Sequence, residues 1–513
     1  MTPASDSYDM IIIGTGAGGG TLARALAPSG KRILLLERGE FLPRERENWD
    51  MQAVARGRYV ARETWYDRED QPFAPYTHYW VGGNTKVYGA ALLRLRTSDF
   101  DEARHFGGVS PAWPIAYDEL EPYYAAAEQI YSVRGTRGLD PCDPPASAPY
   151  PHPPLAHEPR MQELFDDLRA AGARPFPIPI GLRLPDSSRP GPEYRLSAFD
   201  GYPDLTEVKA DAHVVGVNAA LAHRNVDLLT GAFAERLLTN ASGREVTGVV
   251  VRRGDDVLTL RADVVVVACG AINSAALMLR SASDRHPNGL ANGSGQVGRN
   301  YMCHQNGLFI AVCDTPNPSA FQKTFGLTDF YRGAPDSEFP LGTIQLMGKP
   351  DHETLRSLAA DKLPGVSVED IAARTIDFFI TAEDLPSPEN RITLRSGGGI
   401  RVAYTPNNTE AYERLRGKLD GLLAEVEKRR GRRAPTTLHL RLGIGGVSHQ
   451  NGTLRFGRDP RTSVLDVNCK AHELDNLYVV DSSFFPSSGA VNPSLTIMAN
   501  ALRVGAHLRE RLG

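Results

Sequence analysis

Short apolar runs between polar residues are the main pattern along this chain, and they predict buried parallel strands. Four such runs are Met10–Ile13, Arg32–Leu36, Asp263–Gly270 and Leu477–Val480. Helical patterns follow at Thr21–Pro28, from Ala271 onward and at Ser494–Leu508. Because a strand, a helix and a parallel strand in series form one crossover unit, these segments predict an α/β domain built on a parallel sheet.

The stretches between these strands have other patterns. Tyr117–Val133 and residues 408–430 have apolar positions at helical spacing and predict amphipathic helices. Residues 310–400 mix short strand-like runs with loops. Residues 140–204 contain many prolines, which predict an extended, irregular connection. The sequence therefore predicts a second domain between the parts of the first.

A glycine-rich turn joins the first strand to its helix. Gly14, Gly16 and Gly19 have the G-x-G-x-x-G spacing, which permits a tight turn, close approach of a pyrophosphate and close packing of helix on strand. A helix that begins there directs free N–H groups and the positive end of its dipole at the phosphates. Glu37, at the end of the second strand, can accept hydrogen bonds from a ribose diol. This pattern predicts a bound dinucleotide without saying which one.

Composition limits the class of protein. The 513 residues are too many for one core, so two or more domains are expected. A net charge of −4 with mixed signs argues against a nucleic-acid partner. The 5 cysteines are scattered without a C-x-x-C pair, which argues against a metal site or a disulfide framework. The sequence shows neither a signal peptide nor an uninterrupted membrane span, so a cytoplasmic protein is expected.

Two further stretches are suited to ligand contact. Trp80–Gly89 is rich in glycine, which lets main-chain atoms lie against a ligand, although it could also be a surface turn. Asp481 follows the last strand, at the sheet edge where α/β proteins present ligands. Asn492 and Pro493 suit the N-cap and the first position of the last helix. His449, in a polar and turn-rich stretch, is either a structural residue or a base.

Together these segments resemble the glucose–methanol–choline (GMC) oxidoreductase family of flavoproteins, in its bacterial choline-dehydrogenase-like branch. The motifs that carry the resemblance follow the family order along nearly the whole chain. They are the glycine fingerprint, Gly82–Gly89, Gly270–Ser274, Val297–Asn300, Glu383–Arg391, His449 within His-x-x-Gly-Thr, and Asn492 within Asn-Pro-Ser-Leu-Thr.

The resemblance implies a fold, a cofactor and a division into domains. The fold would be a Rossmann-type FAD-binding domain with a doubly wound parallel sheet, plus an α+β substrate-binding domain with an antiparallel sheet. Residues 1–140, 205–305 and 440–513 would form the first domain, 306–439 the second, and 141–204 a proline-rich connection or cover. The implied FAD contacts are Gly14, Gly16, Ala17, Gly19, Glu37, Arg38, Gly83, Asn84, Tyr88, Gly89, Ala234, Ala268, Asp481, Asn492, Pro493 and Thr496.

The resemblance also implies a reaction, namely oxidation of a CH–OH group to an aldehyde or ketone by hydride transfer to flavin N5. An imidazole titrates near neutral pH, so His449 can take the hydroxyl proton, and Asn492 can position the same hydroxyl through its amide. Gln345, Glu383 and His449 are the expected substrate contacts. Polar residues in the middle block favour a sugar, glycoside, amino sugar or other alcohol as substrate. Oxygen and a quinone-type carrier are both open as the electron acceptor.

Two departures from the family pattern and two alternative functions complete the prediction. Members that attach FAD covalently have a histidine in the second glycine motif, where this chain has Val87, so non-covalent FAD is expected. Many bacterial relatives have a cysteine-rich run near Tyr194–Asp204, and this chain has none. The alternatives are a nicotinamide-dependent dehydrogenase with the same glycine fingerprint and a lyase of this fold that keeps FAD only as a structural group.

Overall fold

The computed structural model describes residues 7–184 and 199–513, so residues 194–198 of the Tyr194–Asp204 stretch lie outside the described part. Its strands are β1 (Ser7–Ile13), β2 (Ile33–Leu36), β3 (Trp65–Tyr66), β4 (Pro72–Phe73), β5 (Ala103–His105), β6 (Gly108–Ser110), β7 (Val133–Arg134), β8 (Phe176–Pro177), β9 (Ile180–Gly181), β10 (Val226–Leu229), β11 (Phe233–Thr239), β12 (Val246–Arg253), β13 (Asp256–Val267), β14 (Gln305–Val312), β15 (Phe325–Leu327), β16 (Thr343–Leu346), β17 (Thr375–Ala382), β18 (Arg391–Leu394), β19 (Ile400–Ala403), β20 (Thr436–Arg441) and β21 (Leu477–Val479).

The α-helices follow in the same chain order. They are α1 (Ala17–Leu26), α2 (Met51–Ala55), α3 (Tyr117–Ile130), α4 (Pro159–Ala170), α5 (Asn218–Leu221), α6 (Ala271–Arg280), α7 (His352–Ala359), α8 (Val368–Ala372), α9 (Thr409–Arg429) and α10 (Ser494–Leu512). Every helix in the described part of the chain is too short or too polar to cross a bilayer.

A 7-stranded sheet forms the centre of the first part of the fold. Its parallel strands are in the order β10-β2-β1-β13-β21, and the four apolar runs near the chain ends and in the middle all lie in it. Parallel strands are covered on both faces, which is why these runs are apolar without alternation. The predicted parallel sheet is confirmed.

Strand β13 belongs to two arrangements at once. Its first half pairs antiparallel with β12, which in turn pairs with β11. Its second half lies parallel to β1, and its end, Val265–Val267, also pairs with β21. The long strand therefore brings the last strand of the chain beside the first.

A 6-stranded antiparallel sheet, in the order β20-β14-β17-β16-β15-β8, forms the second part of the fold. Helices α4 and α9 contribute buried apolar side chains to its core, among them Met161, Leu164, Leu415 and Leu419. A parallel-sheet part and an α+β part with an antiparallel sheet are thus both present, as the sequence predicts.

The proline-rich stretch is more regular than its composition predicts. It contains α4, with Pro159 at the first helical position, and β8, which joins the edge of the antiparallel sheet. The expectation of an irregular connection is confirmed for residues 141–158, which contain no helix or strand. It is wrong from Pro159 onward, because Met161, Leu164 and Leu168 have helical spacing and are buried together in a core. The proposed domain division stays a prediction.

The start of the last helix also differs from the prediction. Helix α10 begins at Ser494 with Pro493 as its N-cap residue, and no side chain caps it. Asn492 therefore lies before the cap, and its side chain accepts a hydrogen bond from Gln345 Nε2 at 3.1 Å instead of capping the helix. This shift leaves the Asn492 amide free to face a ligand.

A buried ion pair ties the segment after the second glycine stretch to α3. Arg94, 1% exposed, donates to both carboxylate oxygens of Glu128 at 2.8 Å and also to Glu121 at 2.9 Å. Helix α3 in turn contacts α10, where Tyr124 and Thr496 share a hydrogen bond of 2.8 Å between their hydroxyls. The ion pair therefore supports the helix that begins beside Asn492.

We predict that Arg94→Ala destabilises the protein by about 3 kcal/mol, because breaking a buried pair leaves Glu128 with only part of its neutralising charge. The value lies at the low end of the usual range, since Arg137 also pairs with Glu128. Chemical denaturation followed by tryptophan fluorescence measures the change. Arg414→Ala, which removes an exposed i,i+4 pair with Glu410, is the matched control and should cost about 0.5 kcal/mol or less. Equal effects of the two variants would contradict the prediction.

Candidate active site

A cavity of about 610 Å³ runs between the two sheets. Its walls include the glycine fingerprint, the second glycine stretch, the ends of β13 and β21, and the start of α10. On the opposite side they include strands of the antiparallel sheet. Most of the predicted site residues line it, namely Gly14, Gly16, Ala17, Glu37, Arg38, Gly83, Asn84, Tyr88, Gly89, Ala234, Ala268, Gln345, His449, Asp481, Asn492 and Pro493.

The glycine fingerprint is packed so tightly that only glycine fits at three of its positions. A Cβ atom on Gly14 would lie 2.3 Å from the Ala268 carbonyl oxygen, and Gly14 has a φ of +102°. On Gly18 it would lie 2.1 Å from the Val480 carbonyl oxygen, and on Gly19 1.9 Å from that of Gly14. Gly16 differs, because a Cβ there would meet no protein atom within 4 Å. Gly16 is thus the position at which the backbone is open to the cavity.

Helix α1 begins at this open position. Gly16 is its N-cap residue, no side chain accepts from the first-turn amides, and no acidic side chain lies in that turn. Free N–H groups at a helix start favour an anion such as a pyrophosphate. Gly19 does not line the cavity; its role is to let α1 lie close to Gly14.

Thr15 links both glycine stretches to Glu37. The buried Glu37 carboxylate accepts from the Thr15 amide at 3.1 Å and from its hydroxyl at 2.6 Å, while the other oxygen accepts from the Gly39 amide at 3.0 Å. The same hydroxyl accepts from the Gly82 amide at 3.0 Å. Burial raises the pKa of Glu37, and these hydrogen bonds oppose the increase. The acid is therefore fixed at the end of β2, on the cavity wall.

Several buried polar atoms on the cavity wall have no hydrogen-bond partner among the described residues. A buried polar atom without a partner is unfavourable, so a polar ligand is expected to complete these sites. The atoms are His78 Nδ1, Asn273 Oδ1, Asn306 Oδ1 and Gln345 Oε1. Together with the open Gly16 backbone, they fit a large polar molecule such as FAD.

A row of side chains across the antiparallel sheet forms the opposite wall. The four residues lie in register on adjacent strands and all line the cavity. They are Leu440 on β20, Leu308 on β14, Phe379 on β17 and Gln345 on β16. The sequence does not show this row, because it depends on strand register. Three of its members are apolar, and the polar one, Gln345, holds Asn492.

His449 lies where this wall meets the loop before β21. Its ring contacts Phe379 edge to face, with centroids 5.9 Å apart. Its Nδ1 atom is 3.1 Å from Nδ1 of His304 and 3.4 Å from the Asn306 amide nitrogen. Both neighbours lie on one ring nitrogen, so Nε2 is the atom left to act on a ligand.

Burial lowers the pKa of His449 well below its usual value of 6.5, and the nearby His304 and Lys323 lower it further. Burial also lowers the pKa of His304. Both rings are therefore neutral near pH 7. A neutral imidazole has one nitrogen that can accept a proton, as a general base requires.

Asp481 connects two segments of the chain at the end of β21. One carboxylate oxygen accepts from the Gly270 amide at 3.0 Å and from the Ser274 hydroxyl, and the other accepts from the Ser483 amide at 2.9 Å. It thus caps the short turn after β21 and joins it to the start of α6. Burial raises its pKa, and these hydrogen bonds oppose the increase.

Besides Gly19, two predicted site residues do not line this cavity. Thr496 is fully buried and bonds to Tyr124, so its side chain supports α10. Glu383 lies in a separate cavity, where it accepts from the Ser110 hydroxyl and from the Gly489 amide at 3.1 Å and is 3.2 Å from His105. Glu383 therefore supports the loop before α10 and does not face the main cavity.

Sequence reasoning missed several residues on the cavity wall. Lys323 and Asp200 form an ion pair there, and Asp200 also accepts from the Gly348 amide at 2.7 Å. Asn306 and His304 reach His449 from the start of β14. His304 and Asn306 could have been found from their position close to the Val297–Asn300 motif. No sequence pattern indicates the Lys323–Asp200 ion pair.

The chain is similar to known proteins along nearly its whole length. Family models described as GMC oxidoreductase match residues 8–306 and 409–501. Paromamine 6'-oxidase of Streptomyces fradiae is 32% identical over 520 residues, which covers 97% of this chain and 90% of the relative. 6'''-hydroxyparomomycin C oxidase of Streptomyces lividus is 32% identical over 538 residues, covering 98% of this chain and 92% of that protein.

A solved structure agrees with the fold. Pyridoxine 4-oxidase from Mesorbium loti superposes with a TM-score of 0.68 at 20% identity, covering 98% of this chain and 99% of the other. This likeness supports the arrangement of a parallel-sheet part and an antiparallel-sheet part around one cavity. The family match carries the assignment further, because it spans both ends of the chain. The chain therefore belongs to the GMC oxidoreductase family and is an FAD-dependent oxidoreductase that acts on alcohol groups.

Proposed function

We propose that this enzyme oxidises a CH–OH group of an amino sugar, glycoside or sugar-like alcohol to an aldehyde or ketone, with His449 as the base. The observation that carries the proposal is that His449 and Asn492 both line the cavity that continues to the glycine fingerprint. Bound FAD supplies the acceptor for the hydride that leaves the carbinol carbon.

The residues that would hold FAD surround the open part of the fingerprint. The free amides at Gly16 and Ala17 would receive the pyrophosphate, and Glu37 the ribose diol. Arg38 lies over the Tyr79 ring, 3.7 Å from its centroid, and lines the cavity beside Glu37. The second glycine stretch and the N-terminus of α10 would face the rest of the cofactor.

Two side chains of this enzyme would act on the alcohol. Neutral His449 would take the hydroxyl proton at Nε2, which prevents positive charge from building up on the carbinol carbon. Asn492 would donate a hydrogen bond from its amide nitrogen to the same oxygen, because its own oxygen already accepts from Gln345. Gln345 thus sets the direction of the Asn492 amide. The apolar wall formed by Leu308 and Phe379 would exclude water from the reacting carbon.

The proposed substrate class rests on the cavity wall and on the relatives. Asp200 and Lys323 present opposite charges at the wall, and Gln345 and Asn306 present amides, so a ligand with several hydroxyl and amino groups would find partners. The paromamine and hydroxyparomomycin oxidases, each 32% identical, favour an amino sugar within this class. These relatives do not support the choline-dehydrogenase-like branch. Glu383 faces another cavity and is therefore not among the proposed substrate contacts.

Of the alternatives, the nicotinamide-dependent dehydrogenase is set aside by the family match. A lyase that keeps FAD as a structural group predicts flavin that no alcohol reduces. The electron acceptor, oxygen or a quinone-type carrier, is a separate question that the same experiment answers.

We predict that an amino sugar with a free CH–OH group bleaches the flavin absorption of the purified enzyme under anaerobic conditions, whereas the same sugar with that hydroxyl replaced by hydrogen does not. The panel should include neutral sugars, simple alcohols and choline. Admitting oxygen afterwards identifies an oxidase by rapid return of the yellow colour and a dehydrogenase by slow return. Flavin that no alcohol bleaches would contradict the proposal and favour the lyase.

We predict that His449→Ala keeps bound flavin and lowers the rate of flavin reduction by roughly 10²–10⁴-fold, because the hydroxyl proton loses its acceptor. Stopped-flow absorbance measures the rate, and the flavin-to-protein absorbance ratio measures binding. The matched control is His439→Ala on β20, whose neighbour Leu440 lines the cavity while His439 packs on Phe309. A wild-type rate in His449→Ala would remove this residue from the mechanism.

We propose that FAD is held without a covalent bond, since Val87, at the position of the attaching histidine, lines the cavity with a side chain that has no nucleophile. The thiol of Cys269, also on the wall, is protonated because burial raises its pKa to about 12. Denaturation followed by ultrafiltration should place all of the flavin in the filtrate. Yellow colour that stays with the precipitated chain would contradict this prediction.

A further inference from the structure

His304 contacts two atoms that together determine which ring nitrogens of His304 and His449 carry a hydrogen. Its Nε2 atom is 3.2 Å from the carbonyl oxygen of Ser488, and its Nδ1 atom is 3.1 Å from Nδ1 of His449. The two rings are perpendicular, with centroids 5.2 Å apart. His304 is 1% exposed, so these contacts are shielded from water.

The chemistry of these atoms allows one placement of hydrogens on the two neutral rings. A carbonyl oxygen can only accept, so Nε2 of His304 has to carry a hydrogen. A neutral ring has a hydrogen on one nitrogen only, so Nδ1 of His304 has a lone pair. The contact between the two Nδ1 atoms then requires a hydrogen on Nδ1 of His449. The remaining nitrogen of His449, Nε2, is unprotonated and free to accept.

We propose that His304 is a positioning residue that holds His449 in the tautomer whose Nε2 is the base. This inference rests on the proposed role of His449. In the reaction the O–H bond of the alcohol breaks and an N–H bond forms at Nε2. The imidazolium that results continues to donate from Nδ1 to His304, so His304 also stabilises the charge. A buried aspartate does the same for the histidine of a Ser-His-Asp triad, and here a neutral ring replaces the carboxylate.

One short segment, Glu383–Asp384, anchors both sides of the His304 contact. Asp384 accepts from the Cys303 amide at 3.0 Å and from Gln305 at 2.8 Å, which fixes the residues on either side of His304. Its own carbonyl accepts from the Ser488 hydroxyl at 3.0 Å, and Glu383 accepts from the Gly489 amide at 3.1 Å. The Ser488 carbonyl and the His304 ring are thus held to the same piece of chain.

The Asn306 amide faces His449 Nδ1 with its nitrogen, so it fits this tautomer only after a half-turn that exchanges its nitrogen and oxygen. Its nitrogen lies 3.4 Å from His449 Nδ1, while its oxygen has no partner among the described residues. Amide oxygen and nitrogen positions are exchanged by half a turn of the side-chain end. The turned amide would present its oxygen to the Nδ1–H group, as a second acceptor beside His304.

The first test compares two variants at this position. His304 has a φ of +57°, a backbone conformation that asparagine adopts more readily than leucine. His304→Asn also presents a carbonyl oxygen to His449, whereas His304→Leu presents none. Relative to wild type, the rate of flavin reduction should fall roughly 10²–10³-fold in His304→Leu and roughly 10–10²-fold in His304→Asn. Flavin content and substrate affinity should be unchanged in both variants. A wild-type rate in His304→Leu, or equal losses in both variants, would overturn the proposal.

The second test reads the tautomer directly and does not depend on turnover. In ¹⁵N spectra of histidine-labelled protein, the resonances lost in His449→Gln belong to His449. They should show a protonated Nδ1 and an unprotonated Nε2 in the wild type, and a mixture of tautomers in His304→Leu. A protonated Nε2 in the wild type, or the same tautomer in both proteins, would overturn the proposal. If the spectra support the tautomer while His449→Ala keeps its rate, the base assignment fails and the positioning role stands.

Discussion

Contact between backbone and backbone at the glycine fingerprint is the constraint on which the rest of this structure depends. The turn after β1 lies against the carbonyl oxygens of Ala268 and Val480, close enough that a Cβ on Gly14 or Gly18 would be 2.3 or 2.1 Å from them. These carbonyls end β13 and β21, so the turn joins three distant parts of the chain. A side chain at either glycine would push α1 away from the sheet and close the anion site at Gly16.

The same contact explains how the C-terminal segment reaches the cavity between the two sheets. Because β21 is fixed beside β13, the chain after Asp481 passes along the cavity and enters α10 just beyond Asn492. The antiparallel sheet closes the cavity from the other side and reaches this segment through the hydrogen bond from Gln345 to Asn492. The proposed cofactor side and the proposed substrate side of the cavity thus belong to different parts of the fold, which this hydrogen bond connects.

The sequence predicted the strands and site residues that have a local pattern, and it did not predict the contacts that depend on how strands align. Strands β1, β2, β13 and β21 have apolar runs, and His449 and Asn492 lie in motifs, so all six were found from the sequence. Strand β8 has two residues, and α4 lies among prolines, so neither has a pattern that stands out from its surroundings. The row Leu440, Leu308, Phe379 and Gln345 exists only once β20, β14, β17 and β16 are aligned. Glu383 was misplaced because a motif says that a residue matters and not which way it faces.

Uncharged polar groups surround His449 in the structure. His304 and His449 contribute two imidazoles, Asn306, Gln345 and Asn492 contribute amides, and the charge of Lys323 is balanced by Asp200. A carboxylate in the place of His304 would raise the pKa of His449 and favour its protonation before a substrate binds. A neutral acceptor would set the same tautomer without that effect, so His449 would remain able to act as the proposed base near neutral pH. Burial lowers the pKa of both rings and so keeps them neutral. The Ser488 carbonyl fixes the hydrogen of His304 on Nε2. Together these two features would set the tautomer of His449.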